Sequence, residues 1–358
     1  MVWGDYISLE YGKPVKDKES SDGPVPVYGT NGQIGTSYLP PLCKIPSFIV
    51  GRKGAYRGVH YSSVPFSVID TAFYALPLTD KVNMKWVYYK FLTYDINRMD
   101  SGSAIPSTDR YELYKIPVDL PDLDTQGKIV AILDSFNGKI TANEAINENL
   151  LQQAQALFAN AFPYTPDDEL PAGWRKGTVG DIVDIHDSKR IPISGAQRDK
   201  MTKRTYPYYG AASLMDYVDE YIFDGIYLLL GEDGTVIDDA GYPILQYVWG
   251  QFWVNNHAHI LTGKNGYSVE SLMLLFKRTP VKSIVTGAVQ PKISQANLRS
   301  VPVVIPTADA LGAFNEQIAP MFDQIRQNTD QNNALAQLRD ALLPKLMSGE
   351  LDVSDVQI

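Results

Sequence analysis

The chain repeats itself once, and this duplication limits what it can fold into more than any other feature. Five short motifs recur in the same order in the two halves, beginning at residues 4 and 180, 26 and 207, 51 and 231, 102 and 287, and 116 and 301. In the third pair, Gly51-Arg52-Lys53-Gly54 matches Gly-Glu-Asp-Gly at 231–234. Five matches in one order are not expected by chance. The sequence therefore predicts two copies of one unit.

Each copy divides into a globular part and a helical part. The globular parts are rich in glycine, proline and tyrosine, and they hold short apolar runs, such as 47–50 and 227–230, between turn residues. This pattern indicates mainly β structure. We expect an α+β fold in which two mainly-β domains are separated by two long helices. The predicted segments are residues 1–115, 116–163, 164–300 and 301–358.

Apolar residues spaced by four and three run along each helical part and indicate a heptad seam. One such seam would be expected to pack on its own domain, but two equivalent seams favour an antiparallel coiled coil with a pseudo-two-fold axis. Asparagines on a seam fix its register. Pro320 is expected to kink or divide the second helix, and Gly349 to end it. The predicted seam residues are Ile129, Leu133, Phe136, Ile140, Asn143, Asn147 and Leu150, and Phe314, Ile318, Ile325, Asn328, Asn332, Leu335 and Leu342.

The composition excludes several classes of function. The single cysteine, Cys43, cannot form a disulfide framework, and four histidines leave little room for a zinc enzyme. The Gly-Lys pairs are never followed by serine or threonine, so the sequence has no phosphate-binding P-loop. Apolar runs are far shorter than the roughly 20 residues of a membrane helix. We expect a cytoplasmic protein that does not contact a membrane.

Two alternative functions stay open from the residues alone. Asp167, Asp187 and Lys189 could hold magnesium in a nuclease, because paired carboxylates and a lysine can activate water. The helical pair could instead be a protein scaffold that binds no DNA. His257 and His259 share a strand face, but a metal site there has no obvious third ligand, so no metal is expected.

The net charge of −9 is unevenly distributed. Segments 116–163 and 301–358 hold most of the acidic excess, whereas basic side chains cluster in the globular parts among tyrosine, asparagine, serine and glutamine. An isolated basic cluster is most often a solvated surface. The mixture found here suits phosphate anchoring together with contacts to base edges.

Residues 116–134 contain Ile-Pro-Val and Gln-Gly-Lys-Ile-Val-Ala-Ile-Leu-Asp, and residues 342–351 read Leu-Leu-Pro-Lys-Leu-Met-Ser-Gly-Glu-Leu. Over essentially its whole length the sequence resembles the specificity subunit of type I DNA restriction–modification systems, and residues 116–134 resemble the central conserved region of that family. Residues 342–351 resemble its C-terminal signature. Segments 207–210, 231–234 and 287–292 resemble recurrent target-recognition segments.

This resemblance implies a non-catalytic subunit that reads a bipartite, asymmetric target in double-stranded DNA. Each globular part would be a target recognition domain for one half-site, and the helices would set the unread gap. The implied protein partners are two modification (methyltransferase) subunits and the restriction (translocase and nuclease) subunits. The chain itself is expected to bind no cofactor, whereas S-adenosylmethionine, ATP and Mg²⁺ are expected on the partner subunits.

The candidate DNA contacts lie on turns and loops of the globular parts. Glu232 and Asp233 stand where the first domain has Arg52 and Lys53, so they either accept hydrogen bonds from cytosine amino groups or hold the loop. The two domains are therefore expected to read different half-sites. The candidates are Tyr28, Asn31, Lys44, Arg52, Lys53, Arg57, Ser101 and Ser103, and Tyr208, Tyr209, Ser213, His257, Gln290 and Lys292.

Overall fold

The computed structural model describes residues 1–18, 20–99, 106–287 and 289–356. The chain forms two units, one of residues 1–142 and 331–358 and one of residues 143–330. Each unit contains a globular domain and parts of both long helices. The predicted DNA contacts Ser101 and Ser103 lie outside the described residues.

The globular domain of the first unit is built from two small sheets. Its strands are β1 (Ile7–Tyr11), β2 (Val25–Gly29), β3 (Gly32–Ser37), β4 (Ser47–Gly51), β5 (Val59–Ser62), β6 (Ser67–Val68) and β7 (Ala72–Pro77). The strand orders are β1-β7-β4-β5 and β3-β2-β6. Its helices are α1 (Met84–Phe91) and α2 (Arg110–Tyr114), and the long helix α3 (Leu123–Ala161) follows.

The second unit repeats this plan with a larger sheet. Its strands are β8 (Arg175–Thr178), β9 (Val183–Ile185), β10 (Tyr206–Tyr209), β11 (Leu214–Val218), β12 (Phe223–Gly231), β13 (Leu245–Val254), β14 (Ala258–Gly263) and β15 (Pro302–Ile305). The strand orders are β11-β10-β13-β12-β14-β9 and β15-β8. Its helices are α4 (Val179–Ile182), α5 (Gly195–Arg198), α6 (Val269–Phe276) and α7 (Gln295–Arg299), and the long helix α8 (Ala308–Ser348) follows.

Strand pairing shows that the two domains are copies of one fold. The antiparallel row β1-β7-β4-β5 corresponds to β9-β14-β12-β13, and β2 pairs in parallel with β6 as β10 does with β13. The long strand β13 therefore occupies the positions of both β5 and β6. In the first domain Pro65 lies between β5 and β6, where a residue without an N–H cannot donate to the sheet. This interruption divides one sheet into two.

Helix α3 lies within segment 116–163 and helix α8 within segment 301–358, but α8 lacks the expected break. Helix α8 continues through Pro320, so the prediction that this proline divides the helix is wrong. Pro320 is exposed, and water can hydrate the carbonyl that loses its partner four residues earlier. Gly349 does end the helix, with a φ of 76° that favours glycine. Among the described residues, no helix combines the length and apolar character that a membrane crossing requires.

Within each unit the two long helices run antiparallel. In the second unit Asn328 donates to the side-chain oxygen of Asn147 at 2.8 Å, and Asn147 donates to Thr329 at 3.2 Å. In the first unit Arg339 donates to Asn137 at 2.7 Å. Polar side chains on the seam therefore pair across the helices, as the register argument expects.

The seam also packs on the globular domains. Every predicted seam residue is buried or half-buried. Ile129 and Leu133 belong to the core of the first domain, together with Leu346 and Met347 from the end of α8. Phe314 lies in the core of the second unit with Phe158, at a ring-centroid distance of 5.5 Å. The seam thus serves helix–helix packing in its middle and domain attachment at its ends.

Leu133→Ala tests this attachment. Leu133 is fully buried, so its truncation is expected to lower the free energy of unfolding by about 3 kcal/mol, the usual cost of a cavity of this size. Chemical denaturation of the full chain measures the loss. The exposed Lys139 on the same helix provides the control, because Lys139→Ala should change stability by less than about 0.5 kcal/mol. Equal effects of the two substitutions would contradict the packing described here.

Candidate nucleic-acid interface

In the first domain, the glycine-bounded turn after β4 is fixed by backbone hydrogen bonds. The amide N–H groups of Arg52 and Lys53 both donate to the carbonyl oxygen of Thr71, at 2.8 and 3.1 Å. Gly54 N–H donates to Pro106 O at 3.0 Å, and its φ of 125° explains the need for glycine. Thr108 N–H donates to Arg52 O at 2.9 Å. The turn is thereby joined to the segment that precedes α2.

The turn after β12 in the second domain is fixed in the same way. Glu232 and Asp233 N–H donate to His257 O at 2.8 and 3.3 Å, and Gly234 N–H donates to Pro291 O at 3.0 Å. Ile293 N–H donates to Glu232 O at 2.9 Å. Each domain therefore brings two repeated sequence motifs together on one backbone frame. We call this turn, 51–54 or 231–234, the recognition turn.

The predicted contacts of the first domain differ in their exposure. Asn31, in the β2–β3 turn, and Lys44 are exposed, whereas Tyr28 is half-buried on β2. The Lys53 side chain is 42% exposed beside Asp70. Arg52 is half-buried: its guanidinium donates to Asp70 O at 2.9 Å and lies over the Tyr11 ring.

The second domain also exposes some of its predicted contacts. Ser213 and Gln290 are exposed, and the Lys292 side chain is 49% exposed. His257 and Tyr209 are half-buried. Gln290 and Lys292 lie on one loop, because Thr286 and Lys292 exchange two backbone hydrogen bonds of 2.8 and 2.9 Å.

Burial excludes two residues, Arg57 and Tyr208, from the predicted DNA contacts. Arg57 is only 2% exposed, and its guanidinium donates to the carbonyl oxygens of Ile96 and Asn97. Tyr208 is also 2% exposed, and its hydroxyl bonds the backbone of Ile193. Sequence alone cannot distinguish a basic or aromatic residue that faces solvent from one that braces a loop. Both side chains are structural.

The Glu232 carboxylate is bound by basic side chains of its own domain. Its carboxylate pairs with Arg190 at 2.5 Å and with Lys292 at 3.5 Å. Of the two roles left open for this residue, the structure favours loop support.

Asp187 is the buried centre of the same network. Its carboxylate accepts hydrogen bonds from His259 Nδ1 at 2.6 Å, Gln295 at 2.6 Å and Ile260 N–H at 3.0 Å, and Arg190 lies 3.4 Å away. Burial alone would raise the pKa of Asp187. The hydrogen bond and charge of His259, the Ile260 N–H and the charge of Arg190 outweigh burial, and the pKa lies below its usual value.

This network resembles a metal site in composition but not in its contacts. Asp187, Glu232 and His259 bring three possible ligand atoms within 4.8 Å of one another. Nevertheless, His259 turns one nitrogen to Asp187 and the other to Ile293 O at 2.8 Å. Arg190 contacts both carboxylates and supplies the cation. The nuclease alternative gains no support, because the donors around Asp187 leave its carboxylate committed to the protein.

Sequence reasoning missed three features of this region. It named His259 only as a strand residue beside His257, and it considered Asp187 only as a metal ligand. It also passed over Val289, which is fully exposed in the loop beside Gln290. An apolar side chain in such a place can contact the methyl group of thymine. A position-by-position comparison of the two repeats could have drawn attention to Asp187 and His259.

Comparison with known proteins gives this geometry a context. Residues 10–152 and 171–338 match the family model described as the type I restriction modification DNA specificity domain. The chain belongs to this family. It is a non-catalytic DNA specificity subunit of a type I restriction–modification system, as the resemblance predicted, and its partners are in general terms DNA and the other subunits of that system.

Individual relatives agree with the family. The type I restriction enzyme MjaIX specificity subunit of Methanocaldococcus jannaschii is 24% identical over 315 residues, which cover 77% of this chain and 71% of the relative. A putative type I specificity subunit of Haemophilus influenzae is 30% identical over 128 residues, or 36% and 32% of the two chains. The crystal structure of the S subunit from M. genitalium shares the fold, with a TM-score of 0.63, 16% identity and coverage of 97% and 95%.

Asp187→Asn tests the ionic network through its pH dependence. Because the folded pKa of Asp187 is depressed, its carboxylate stabilises the fold above the unfolded pKa of about 3.9, and this contribution disappears as pH falls through the folded pKa. The substitution is expected to lower the free energy of unfolding by about 3 kcal/mol at pH 7. The difference from the wild type should shrink towards about pH 3.

Denaturant titrations over this pH range measure the effect. Asp184, exposed on the neighbouring strand, gives the matched control: Asp184→Asn should change stability little at any pH. A penalty for Asp187→Asn that stayed constant with pH would refute the electrostatic account.

Proposed function

We propose that each globular domain reads one half of a bipartite, asymmetric DNA target through its recognition turn and the loop bonded to it. One observation carries the proposal: the same backbone frame recurs in both domains and presents different side chains. A shared frame supports a shared mode of docking. Different side chains on that frame support different half-sites, because base edges are distinguished by side-chain donors, acceptors and apolar groups.

The accessible side chains divide between anchoring and reading. Lys44, Lys53 and Lys292 suit phosphate contacts, which fix register without reading sequence. Exposed or half-buried polar side chains, which lie on turns and loops or, for Tyr28 and Tyr209, on strands, suit base edges or sugars. These are Tyr28, Asn31, Tyr209, Ser213, His257 and Gln290. Recognition domains of residues 1–115 and 164–300, joined by helical segments 116–163 and 301–358, are the division we propose.

The chemistry of modification and cleavage belongs, in this proposal, to other subunits. Two methyltransferase subunits would supply S-adenosylmethionine and adenine methylation, and restriction subunits would use ATP and Mg²⁺. The duplicated architecture supports two copies of the modification subunit, because each unit offers an equivalent combination of domain and helices. A protein that serves chromosomal and invading DNA works in the cytoplasm, which is the location we propose.

Half-site assignment is tested by sequencing methylated DNA from cells that carry the complete system. The wild type is expected to give one bipartite motif. Asn31→Ala should relax the choice of bases at one half-site and Gln290→Ala the choice at the other, each by about tenfold in discrimination, because both exposed side chains are proposed to contact base edges. Lys139→Ala, on an exposed helix position, should leave methylation unchanged. If Asn31→Ala and Gln290→Ala both relaxed the same half-site, or neither half-site, the assignment of one half-site to each domain would be wrong.

Charge predicts how the subunit binds DNA without its partners. Taken together, the two recognition domains carry as many basic as acidic side chains. Phosphate neutralisation supplies most of the affinity in complexes of proteins with DNA. The isolated chain is therefore expected to bind weakly and with little salt dependence. The complex with modification subunits should show a steep slope of log affinity against log salt, which Lys53→Ala lowers by about one. Tight, salt-sensitive binding by the isolated chain would contradict this division of labour.

A further inference from the structure

Strand register shows which residues of the two domains occupy the same place. The closing glycine of β4 pairs with Ala72, and the closing glycine of β12 pairs with Ala258. The next residue on each of these strands, Phe73 in one domain and His259 in the other, is therefore equivalent. Both lie directly beneath the recognition turn.

Three more pairs follow from the same comparison. Tyr11 lies opposite Phe73 across β1–β7, as Asp187 lies against His259. The carbonyls of Arg52 and Glu232 accept the equivalent hydrogen bonds in the two turns, and α2 and α7 begin with Arg110 and Gln295. We call these the support positions. The equivalent pairs are Tyr11 and Asp187, Arg52 and Glu232, Phe73 and His259, and Arg110 and Gln295.

In the first domain the support positions form an aromatic–cation cluster. The rings of Tyr11 and Phe73 are 5.1 Å apart. The guanidinium groups of Arg52 and Arg110 lie 4.8 and 4.7 Å from the Tyr11 ring centre. Stacking and cation–π attraction hold this cluster together without a buried ion pair among its members.

In the second domain the same positions form a buried ionic cluster. Asp187 and His259 replace the two rings, Glu232 replaces Arg52, and Gln295 replaces Arg110. Gln295 and His259 both donate to Asp187 at 2.6 Å. An arginine still contributes the positive charge, but Arg190 brings it from the segment after β9. All four support positions therefore differ in chemical character between the two domains.

His259 links this cluster to the loop that carries Gln290 and Lys292. Its Nε2 lies 2.8 Å from Ile293 O, next to that loop, while Nδ1 faces Asp187. Because both neighbours are oxygen acceptors, both hydrogen bonds exist together only when each ring nitrogen carries a proton. The ring is fully buried, so water cannot replace a lost bond.

We propose that His259 is a positioning residue for the second half-site: its buried ring joins the ionic cluster to the recognition loop through two hydrogen bonds, and loss of this link relaxes recognition of that half-site alone. This inference rests on the proposed half-site function. The first domain, with Phe73 at the same position, has no such hydrogen-bonded link.

Charged groups from three segments surround the His259 ring. Asp187, from the segment after β9, lies 2.6 Å from Nδ1, and Glu232, on the recognition turn, lies 3.7 Å from it. Arg190 contacts both carboxylates, and Lys292 contacts Glu232 from the loop. His257 and Asp233 pair with each other at 3.6 Å outside this cluster.

The test uses the complete complex of specificity and modification subunits. Methylation of the cognate site is compared with methylation of sites that carry one base change in either half. The ratio of the two rates cancels any effect of a substitution on methyl transfer itself. In His259→Gln, discrimination at the second half-site should fall about tenfold, the worth of one charge-assisted hydrogen bond, with none lost at the first.

The glutamine amide lacks the two opposed ring nitrogens, so it cannot bond both Asp187 and Ile293 O. His186→Gln is the matched control, because His186 bonds Thr262 at 2.7 Å instead of the cluster; it should keep discrimination at both half-sites. The inference is overturned if His259→Gln affects both half-sites alike or leaves the second half-site unchanged. Unchanged discrimination at the first half-site shows that the variant has folded, and His259→Asn repeats the test if His259→Gln does not assemble. Failure of the proposed function is distinct, because the wild type would then methylate no bipartite site.

Discussion

Each globular domain is held by the ends of two helices that come from distant parts of the chain, and the rest of the structure depends on this attachment. In the first unit, the start of α3 and the end of α8 share a core with the sheet. In the second, the end of α3 and the start of α8 do so. Buried apolar area supplies most of the stabilisation, since each core gathers large aromatic and aliphatic side chains.

Polar links then fix how each domain sits on its helices. Asp134 of α3 accepts hydrogen bonds from Lys85 and Tyr89 of α1 at 2.7 and 2.6 Å. In the second unit the charges are reversed: Arg326 of α8 pairs with Glu270 of α6 at 3.1 Å. The domain is therefore attached through an acidic residue of the long helix in the first unit and through a basic residue in the second. The side chains beneath the two recognition turns also differ in chemical character. Duplication has preserved the backbone arrangement and left the side chains free to diverge.

Much of the architecture could be predicted from the sequence, because periodicity and repetition can be recognised without knowledge of contacts. The helix seam, the stop at Gly349 and the correspondence of the motifs at 51 and 231 are of this kind. Pro320 was misleading, because its effect on a helix depends on whether the freed carbonyl reaches water. Arg57 and Tyr208 were misleading for a related reason, since burial is decided by residues remote in sequence.

The candidate site was predictable in place but not in detail. Sequence comparison located the recognition turns and the loop at 287–292, whereas the roles of Glu232, Asp187 and His259 emerge only once three strands are adjacent. A carboxylate on a turn looks the same in sequence whether it faces DNA or a buried arginine. Distances of a few ångströms decide between these roles, and one sequence does not contain them.

The two units also differ in the order in which their residues are synthesised. The second is one continuous stretch, residues 143–330, whereas the first needs residues 331–358 to complete its core. Domains begin to fold as their residues emerge during synthesis. The side chains of α8 that complete the first core are therefore synthesised after the whole of the second unit, and part of the first core stays uncovered until then.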